Sequence, residues 1–281
     1  MASVKIGGAW LAASALAIAV AASAPAFATT LYSQGFETDT TDWTSGVTRV
    51  ASGTNGITAA SGAYYGQTPK NADDNTHWGT TNASTGGVPG AFQPYTTSIK
   101  IYLDVGTSAA NDTRFDFSSA INKPDGSFLR DFVFNVGFYS DGTTGPGAGN
   151  DRFIVSTGNN AGRGNSYPSD PGHDPIAIET TGWYTFQDTF LDNGGVLNVQ
   201  MDILDASNTV VDSWTLGSDP ITDAGGSRYG WFVSNEFDAL AIDDVTLTTP
   251  TTATPLPATL PLLASGLAGL GFLRRRKTRT A

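Results

Sequence analysis

The stretch Val196–Leu204 reads Val-Leu-Asn-Val-Gln-Met-Asp-Ile-Leu and places apolar and polar side chains at alternate positions. Its apolar side chains on one face are Leu197, Val199, Met201 and Ile203. Alternation with a period of two is typical of a β-strand with one buried face. The polar segment 205–208 separates this run from a second alternating run, Thr209–Leu216, so the two runs predict a β-hairpin.

The same alternation recurs along most of the chain. Ser98–Val105 has one apolar face, whereas Asp131–Tyr139 has an apolar face and a mixed face, which is typical of a central strand. Further strands are predicted at Val47–Ala51, Arg152–Thr157, Trp183–Asp188, Tyr229–Ser234 and Ala239–Leu247. Because the apolar face of each strand needs a second sheet to cover it, the pattern predicts an all-β, two-sheet antiparallel β-sandwich. A closed barrel is the weaker alternative, and Gly158–Pro175 is predicted to be a long loop.

The first 28 residues have the features of a secretory signal peptide. Lys5 precedes an apolar run, Ala9–Ala22, and Ala26 and Ala28 form an Ala-x-Ala cleavage site. We therefore expect a signal helix at 1–28, export through the Sec translocon and removal by signal peptidase. The mature protein is expected to begin at Thr29.

The last residues of the chain predict a short membrane helix. Ala258–Leu273 is a run of sixteen residues without charge. As a helix this run spans about 24 Å, which is less than the ~30 Å hydrocarbon core of a bilayer. A basic cluster follows at once and consists of Arg274, Arg275, Arg276, Lys277 and Arg279. This cluster favours a cytoplasmic location for the tail, 274–281, with everything before the helix outside.

This tail resembles the PEP-CTERM sorting signal of Gram-negative bacteria. The signal consists of a Pro-x-Pro box, a short apolar helix and a terminal Arg cluster; here the box is Pro255, Leu256 and Pro257, within the linker 249–257. Where Leu256 stands, the family most often has Glu. The resemblance implies transient anchoring in the inner membrane, processing by an exosortase, and release to the cell surface or the extracellular biofilm matrix. An ordinary single-pass anchor is the alternative.

The region between the two ends, 29–248, is long enough for one large domain. It contains all 26 acidic residues but only nine basic ones, which gives a net charge of −17. Such a charge repels nucleic acid and attracts divalent cations. The chain has no cysteine, so neither a disulfide nor a cysteine nucleophile is available.

Two stretches near the ends of this domain resemble the first and last strands of jelly-roll carbohydrate-binding modules. They are Gly35-Phe36-Glu37 and Ala241–Leu247. The resemblance implies a structural calcium ion that bridges these strands, with Glu37, Asp243 and Asp244 as candidate ligands; solvated carboxylates at a sheet edge are the alternative. Segments around Trp183 and Trp231 are also similar to exported concanavalin-like and laminin-G-like domains. A β-bulge is expected near Asp243 because strict alternation breaks there.

The residues favour binding over catalysis. The sequence shows neither the alternating carboxylates of sandwich-fold glycosidases nor a Gly-x-Ser-x-Gly nucleophile motif. Five aromatic residues lie in or beside polar loops, where their rings could stack on sugars; these are Tyr64, Tyr65, Trp78, Tyr95 and Tyr167. Trp183, Trp214 and Trp231 are predicted to be core residues. We expect an exported, non-catalytic protein that binds extracellular polysaccharide or matrix partners, and the alternatives are a polysaccharide-processing enzyme and a passive matrix component.

Overall fold

Fourteen β-strands form the part of the chain that the computed structural model describes, residues 28–44, 46–70, 75–79, 90–160, 168–233 and 235–250. The strands are β1 (Ala28–Gln34), β2 (Thr48–Ala51), β3 (Tyr64–Pro69), β4 (Asn75–Thr76), β5 (Tyr95–Leu103), β6 (Thr113–Asn122), β7 (Phe128–Tyr139), β8 (Arg152–Gly158), β9 (Ile176–Ile178), β10 (Gly182–Asp192), β11 (Val196–Leu204), β12 (Val210–Pro220), β13 (Ser227–Val233) and β14 (Ala239–Pro250). Three short 3-10 turns, Thr54–Gly56, Pro171–His173 and Ile221–Asp223, are the only helical elements among these residues.

The strands form two antiparallel sheets, which confirms the predicted sandwich. The larger sheet has the order β12-β11-β10-β5-β14-β3-β2, with β1 also paired to β14, and the smaller sheet has the order β4-β13-β6-β7-β8-β9. The signal helix and the C-terminal helix lie outside the described residues. No helix within the described part of the chain is long and apolar enough to cross a membrane.

Strand β14 has different partners along one of its edges. Ala239–Ile242 pairs with β3, whereas residues from Val245 onward pair with β1, so that Ala28 lies opposite Pro250. On the other edge, the register with β5 shifts between Asp243 and Thr246. This shift confirms the predicted bulge and places Asp243 and Asp244 at the point where β14 exchanges β3 for β1.

Phenylalanine rings fill much of the space between the sheets. Phe134 of β7 meets Phe186 of β10 edge to face, with ring centroids 5.2 Å apart and an interplanar angle of 90°. Aromatic pairs in this geometry contribute about 0.5–1.5 kcal/mol beyond the area they bury. On each strand these rings occupy alternate positions, so the next side chain along faces outward from the sandwich.

One carboxyl group lies inside this core. Asp188 of β10 shares the inward face with Phe186 and Phe190, lies opposite Thr97 of β5, and is fully buried. Among the described residues, no donor lies within hydrogen-bonding distance of either of its carboxylate oxygens. Burial raises the pKa of Asp188 well above its usual value, and the negative charge of Asp202 adds to this effect.

Candidate functional site

Three of the predicted sugar-binding aromatic residues lie in the core instead. Tyr65, Trp78 and Tyr95 are 0%, 3% and 4% exposed, respectively, because their strands or turns direct them inward. Tyr64 is half-buried, and its ring lies beneath the guanidinium carbon of Arg49, which is 3.1 Å from the ring centroid. Tyr167 lies outside the described residues. The buried rings cannot stack on a ligand, so the predicted set does not form a site.

A different group of residues forms a pocket at the edge of the smaller sheet. The aromatic pocket, as we call it, has a volume of about 310 Å³ and is lined by Asn75, His77, Tyr229 and Trp231. Asn75 belongs to the edge strand β4 and pairs directly with Trp231 of β13. The pocket therefore forms where the outermost two strands of this sheet meet.

The alternation of β13 directs the two aromatic side chains outward. Phe232 lies in the core, and a Cβ atom on Gly230 would come within 2.8 Å of the Trp78 ring, so Gly230 lets this core indole pack against the strand. Tyr229 and Trp231 therefore face the other side, with ring centroids 5.9 Å apart and an interplanar angle of 90°. His77 meets Tyr229 edge to face at 6.3 Å. The pocket consequently has perpendicular aromatic walls.

The structure corrects the prediction that all three strand tryptophans are core residues. Trp214 is 5% exposed, as predicted, but Trp183 and Trp231 are half-buried on the outer faces of the two sheets. In the run from Tyr229 to Phe232 every side chain except that of Gly230 is aromatic, so polarity does not show which positions face inward. Gly230 is the feature of the sequence that could have shown the orientation of this strand. If the glycine faces inward, its neighbours Tyr229 and Trp231 face outward.

Two opposite charges lie beside Tyr229. Its hydroxyl group donates to Oδ1 of Asp131 at 3.3 Å, and Nδ2 of Asn160 donates to Oδ2 of the same carboxylate at 2.9 Å. The guanidinium carbon of Arg228 lies 5.5 Å from the centroid of the Tyr229 ring. Burial raises the pKa of Asp131, and burial together with the Asp131 charge raises the pKa of Tyr229 to about 12.

The surroundings of His77 favour its neutral form. Burial lowers its pKa below the usual value, and the positive charge of Arg228 lowers it further, although a backbone hydrogen bond at Arg228 opposes the shift. At neutral pH the pocket thus presents an uncharged imidazole beside the amide of Asn75. Both groups can exchange hydrogen bonds with hydroxyl groups.

Asp116 of β6 also faces outward, on the third strand from the β4 edge of the same sheet. Burial raises the pKa of Asp116 to about 6, and the charge of Glu236 also raises it, whereas a hydrogen bond from Asn135 lowers it. The register places Asp116 opposite Asn135, four residues from Asp131 along β7. At ~3.4 Å per residue and ~4.8 Å between strands, the Cα atoms of Asp116 and Asp131 are about 14 Å apart.

The candidate calcium ligands surround one loop. Glu37 accepts hydrogen bonds from the backbone amides of Ala63 and Tyr64, at 3.0 and 3.1 Å from Oε1. Asp243 is fully buried, and its Oδ2 accepts a hydrogen bond from the amide of Ser61 at 3.2 Å. Burial raises the pKa of Asp243 to about 6. Carboxylates from the region after β1 and from the bulge in β14 thus hold the same loop, 61–64.

Asp244 fits an ion less well than the other two ligands. One of its oxygens lies 2.8 Å from Nζ of Lys100, and the other accepts a hydrogen bond from the Ser61 hydroxyl at 2.6 Å. Within the described residues, no group of three or more His, Cys, Asp or Glu side chains is arranged to hold a metal ion. Glu37 and Asp243 would therefore need backbone carbonyls to complete a calcium shell.

The residues predicted for export and sorting lie mostly outside the described part of the chain. These are Ala26, the box Pro255–Pro257 and the basic cluster from Arg274 to Arg279. Ala28 is described, and it is the first residue of β1.

No protein-family model matches the sequence, and comparison with curated proteins gives no match. Among solved structures, the chain is similar to the CBM2 module of the evolved Dit of Lactobacillus casei BL23 phage J-1, with 11% identity, a TM-score of 0.43, and coverage of 82% of this chain and 100% of that one. It is also similar to the winged bean acidic lectin in complex with methyl-α-D-galactose, with 10% identity, a TM-score of 0.38, and coverage of 81% and 99%. A third similar structure is the GH131 β-glucanase catalytic domain from Podospora anserina, with 9% identity, a TM-score of 0.32, and coverage of 68% and 74%. At these values the likeness gives no information about function.

Proposed function

We propose that this domain is a non-catalytic module that binds extracellular polysaccharide in the aromatic pocket. The observation that carries the proposal is the pair of perpendicular, half-buried rings of Tyr229 and Trp231, flanked by Asn75 and His77. Sugar rings have apolar faces and polar edges. A ligand site for them combines aromatic surface with a few placed hydrogen-bonding groups, and this pocket offers both.

The spacing of Asp116 and Asp131 does not suit hydrolysis. Glycosidases place two carboxyl groups about 5–9.5 Å apart on either side of the scissile bond. The Cα atoms of Asp116 and Asp131 are separated by about 14 Å, and Asp188 is enclosed in the core. The observation that favours the enzyme alternative is Asp116, because burial raises its pKa to about 6 and a carboxyl group with a raised pKa can act as a general acid.

Binding to insoluble polysaccharides tests the proposal. We expect the ectodomain to sediment with at least one uncharged polymer, and we expect Trp231→Ala to lose most of this binding. Trp183→Ala is the matched control, since Trp183 is also half-buried but lies on the outer face of the other sheet. Failure of all polymers to retain the protein would favour a passive matrix component, whereas release of reducing sugars that disappears in Asp116→Asn would establish an enzyme.

Export and sorting form the second part of the proposal. The Ala-x-Ala site and the Pro-Leu-Pro box with its short apolar run and Arg cluster support Sec-dependent secretion, transient anchoring in the inner membrane and processing by an exosortase. Mass spectrometry of the surface-associated protein tests this directly. We expect peptides that begin at Thr29 and lack Arg274–Arg279, and recovery of an intact basic tail would leave a plain anchor.

Calcium is the third part of the proposal, and Glu37 and Asp243 are the side chains that support it. Both lie beside the loop 61–64, and the Asp243 carboxylate is fully buried, where a bound cation would offset its charge. When bound, the ion would link the end of β1 to the bulge of β14 and would supply stability rather than chemistry.

A further inference from the structure

Strand β12 lies at the edge of the larger sheet and is longer than the other strands at sheet edges. It has 11 residues, whereas β1, β2, β4 and β9 have 7, 4, 2 and 3 residues. Short strands protect a sheet edge, because they offer few main-chain groups for pairing with another chain. Among the described residues β12 pairs with β11 alone, so its length offers an edge to a further strand.

The middle of β12 is regular and open to solvent. The register with β11 shifts near each end of the strand, so regular pairing is confined to residues 212–217. Within this segment Ser213 and Thr215 are exposed on the outer face of the sheet, and Gly217 is exposed as well. Because glycine has no side chain, the exposure of Gly217 is exposure of the main chain itself.

The sequence of this segment suits antiparallel pairing with a second copy of itself. When two sheets join edge to edge, paired strands must keep their apolar side chains on the same face. A pair in which Thr215 lies opposite Thr215 of the second copy does so, because it brings Trp214 opposite Leu216. These two side chains face the core and are 5% and 6% exposed.

The charges of β12 also favour this register. Asp212 and Asp219 of one copy lie opposite the uncharged positions 218 and 211 of the other, so no carboxylate faces another. The next register that keeps the faces aligned is centred on Trp214. It would bring Asp212 against the apolar side chain of Leu216.

We propose that β12 pairs with β12 of a second copy about a two-fold axis at Thr215, which joins the two larger sheets into one. Antiparallel pairing over 213–217 supplies about five main-chain hydrogen bonds, at the lower end of the number found in protein–protein interfaces. The dimer therefore depends on concentration. Since each domain has a net charge of −17 over 29–248, higher ionic strength strengthens it.

Sedimentation equilibrium of Ala28–Pro250, which forms a compact unit by itself, tests the proposal with charges placed at the axis. Thr215→Lys and Thr215→Glu each set like charges opposite one another, so each alone should weaken the dimer about 3- to 10-fold. An equal mixture of the two should restore it as a heterodimer. Thr189→Lys is the matched control, because Thr189 lies on the same outer face but on the interior strand β10, and this variant should dimerise like wild type.

A single cysteine tests the register. The chain has no cysteine, so any disulfide in Thr215→Cys must join two copies. Residues directly opposite in an antiparallel pair have Cβ atoms about 4.5–5.5 Å apart, close to the separation in a disulfide. Mild oxidation should therefore link Thr215→Cys into a covalent dimer, whereas Thr189→Cys should remain unlinked.

The outcomes separate this edge from other surfaces. A wild-type domain that stays monomeric at high protein and salt concentration overturns the proposal, and so does a dimer that Thr215→Lys and Thr189→Lys weaken equally. If association requires a chain extended to residue 257, the linker 249–257 of another copy is the pairing segment and edge-to-edge pairing is wrong. Trp231→Ala should leave the dimer intact, because the dimer does not use the aromatic pocket. Thermal melting checks that each variant is folded.

Discussion

Replacement of Asp188 by Asn should make the domain more stable at neutral pH. This carboxyl group is fully buried, without a donor in reach among the described residues, so burial favours its protonated form in the folded protein. The unfolded chain releases the proton near the ordinary pKa of 3.8, whereas the folded state retains it to a much higher pH. The folded state therefore binds more protons, and stability falls as pH rises above about 4.

The size of the effect follows from proton linkage. For each pH unit over which Asp188 is protonated in the folded state and ionised in the unfolded state, the free energy of unfolding falls by about 1.4 kcal/mol. The Asn variant does not have this cost, so the free energy of unfolding of the variant minus that of wild type should grow by up to about 1.4 kcal/mol per unit as pH increases from 5 to 7. Titration of Asp116, Asp131 and Asp243 contributes equally to both proteins and cancels in the difference.

Urea unfolding at pH 5, 6 and 7 provides the measurement. Asp238→Asn is the control, because the side chain of Asp238 is 90% exposed and pairs with Lys70 only at 3.6 Å. This control should differ from wild type by a nearly constant amount across the same range. A constant difference for Asp188→Asn as well would refute the reasoning, since it would mean that Asp188 is ionised in the folded protein or paired with a cation.

Three further outcomes are expected. Asp219→Asn should lower the free energy of unfolding by about 1–3 kcal/mol in urea titrations, because it breaks the bidentate pair with Arg130 in which both side chains are less than a fifth exposed; an unchanged midpoint would argue against the pair. Arg152→Met should lower the free energy of unfolding by about 3 kcal/mol or more, since the fully buried guanidinium group donates to the carbonyl oxygens of Pro146 and Asn150 at 2.9 and 2.7 Å. Protease cleavage within 140–151 should also become faster. Calcium at a hundred times its Kd should raise the stability by about 2.7 kcal/mol, and Asp243→Asn should abolish this gain; identical melting curves with calcium and with chelator would exclude the ion.

Strands with one clean apolar face could be predicted closely from the sequence. Val196–Leu204 has the same bounds in the structure as in the sequence pattern, because polar side chains occupy the central outer positions at Asn198, Gln200 and Asp202. Strand β6, Thr113–Asn122, was not predicted, because its outer positions include small residues such as Ser118 and Ala120 that are buried as well. Polarity alternates with period two only where one face of a strand meets water.

The binding site was harder to predict than the fold. The aromatic residues beside polar loops, such as Trp78 and Tyr95, lie in the core, because a loop of polar sequence can still direct one large side chain inward. The pocket instead depends on the pairing of Asn75 with Trp231, two residues separated by more than 150 positions. Local pattern carries no information about that pairing, which only the strand order of the smaller sheet provides.

The meeting of the two ends of the domain determines how it responds to force. Since Thr29 lies opposite Thr249 in an antiparallel pair, tension applied between these residues loads the hydrogen bonds of β1 and β14 one after another, as in a zipper, rather than all at once in shear. Among the described residues, strand β1 pairs with β14 alone, whereas β14 is also held by β5, so β1 should peel away first while the other strands stay in place. The peeled state exposes the edge of β14 from Val245 to Pro250, and an extended segment of another chain can add to that edge.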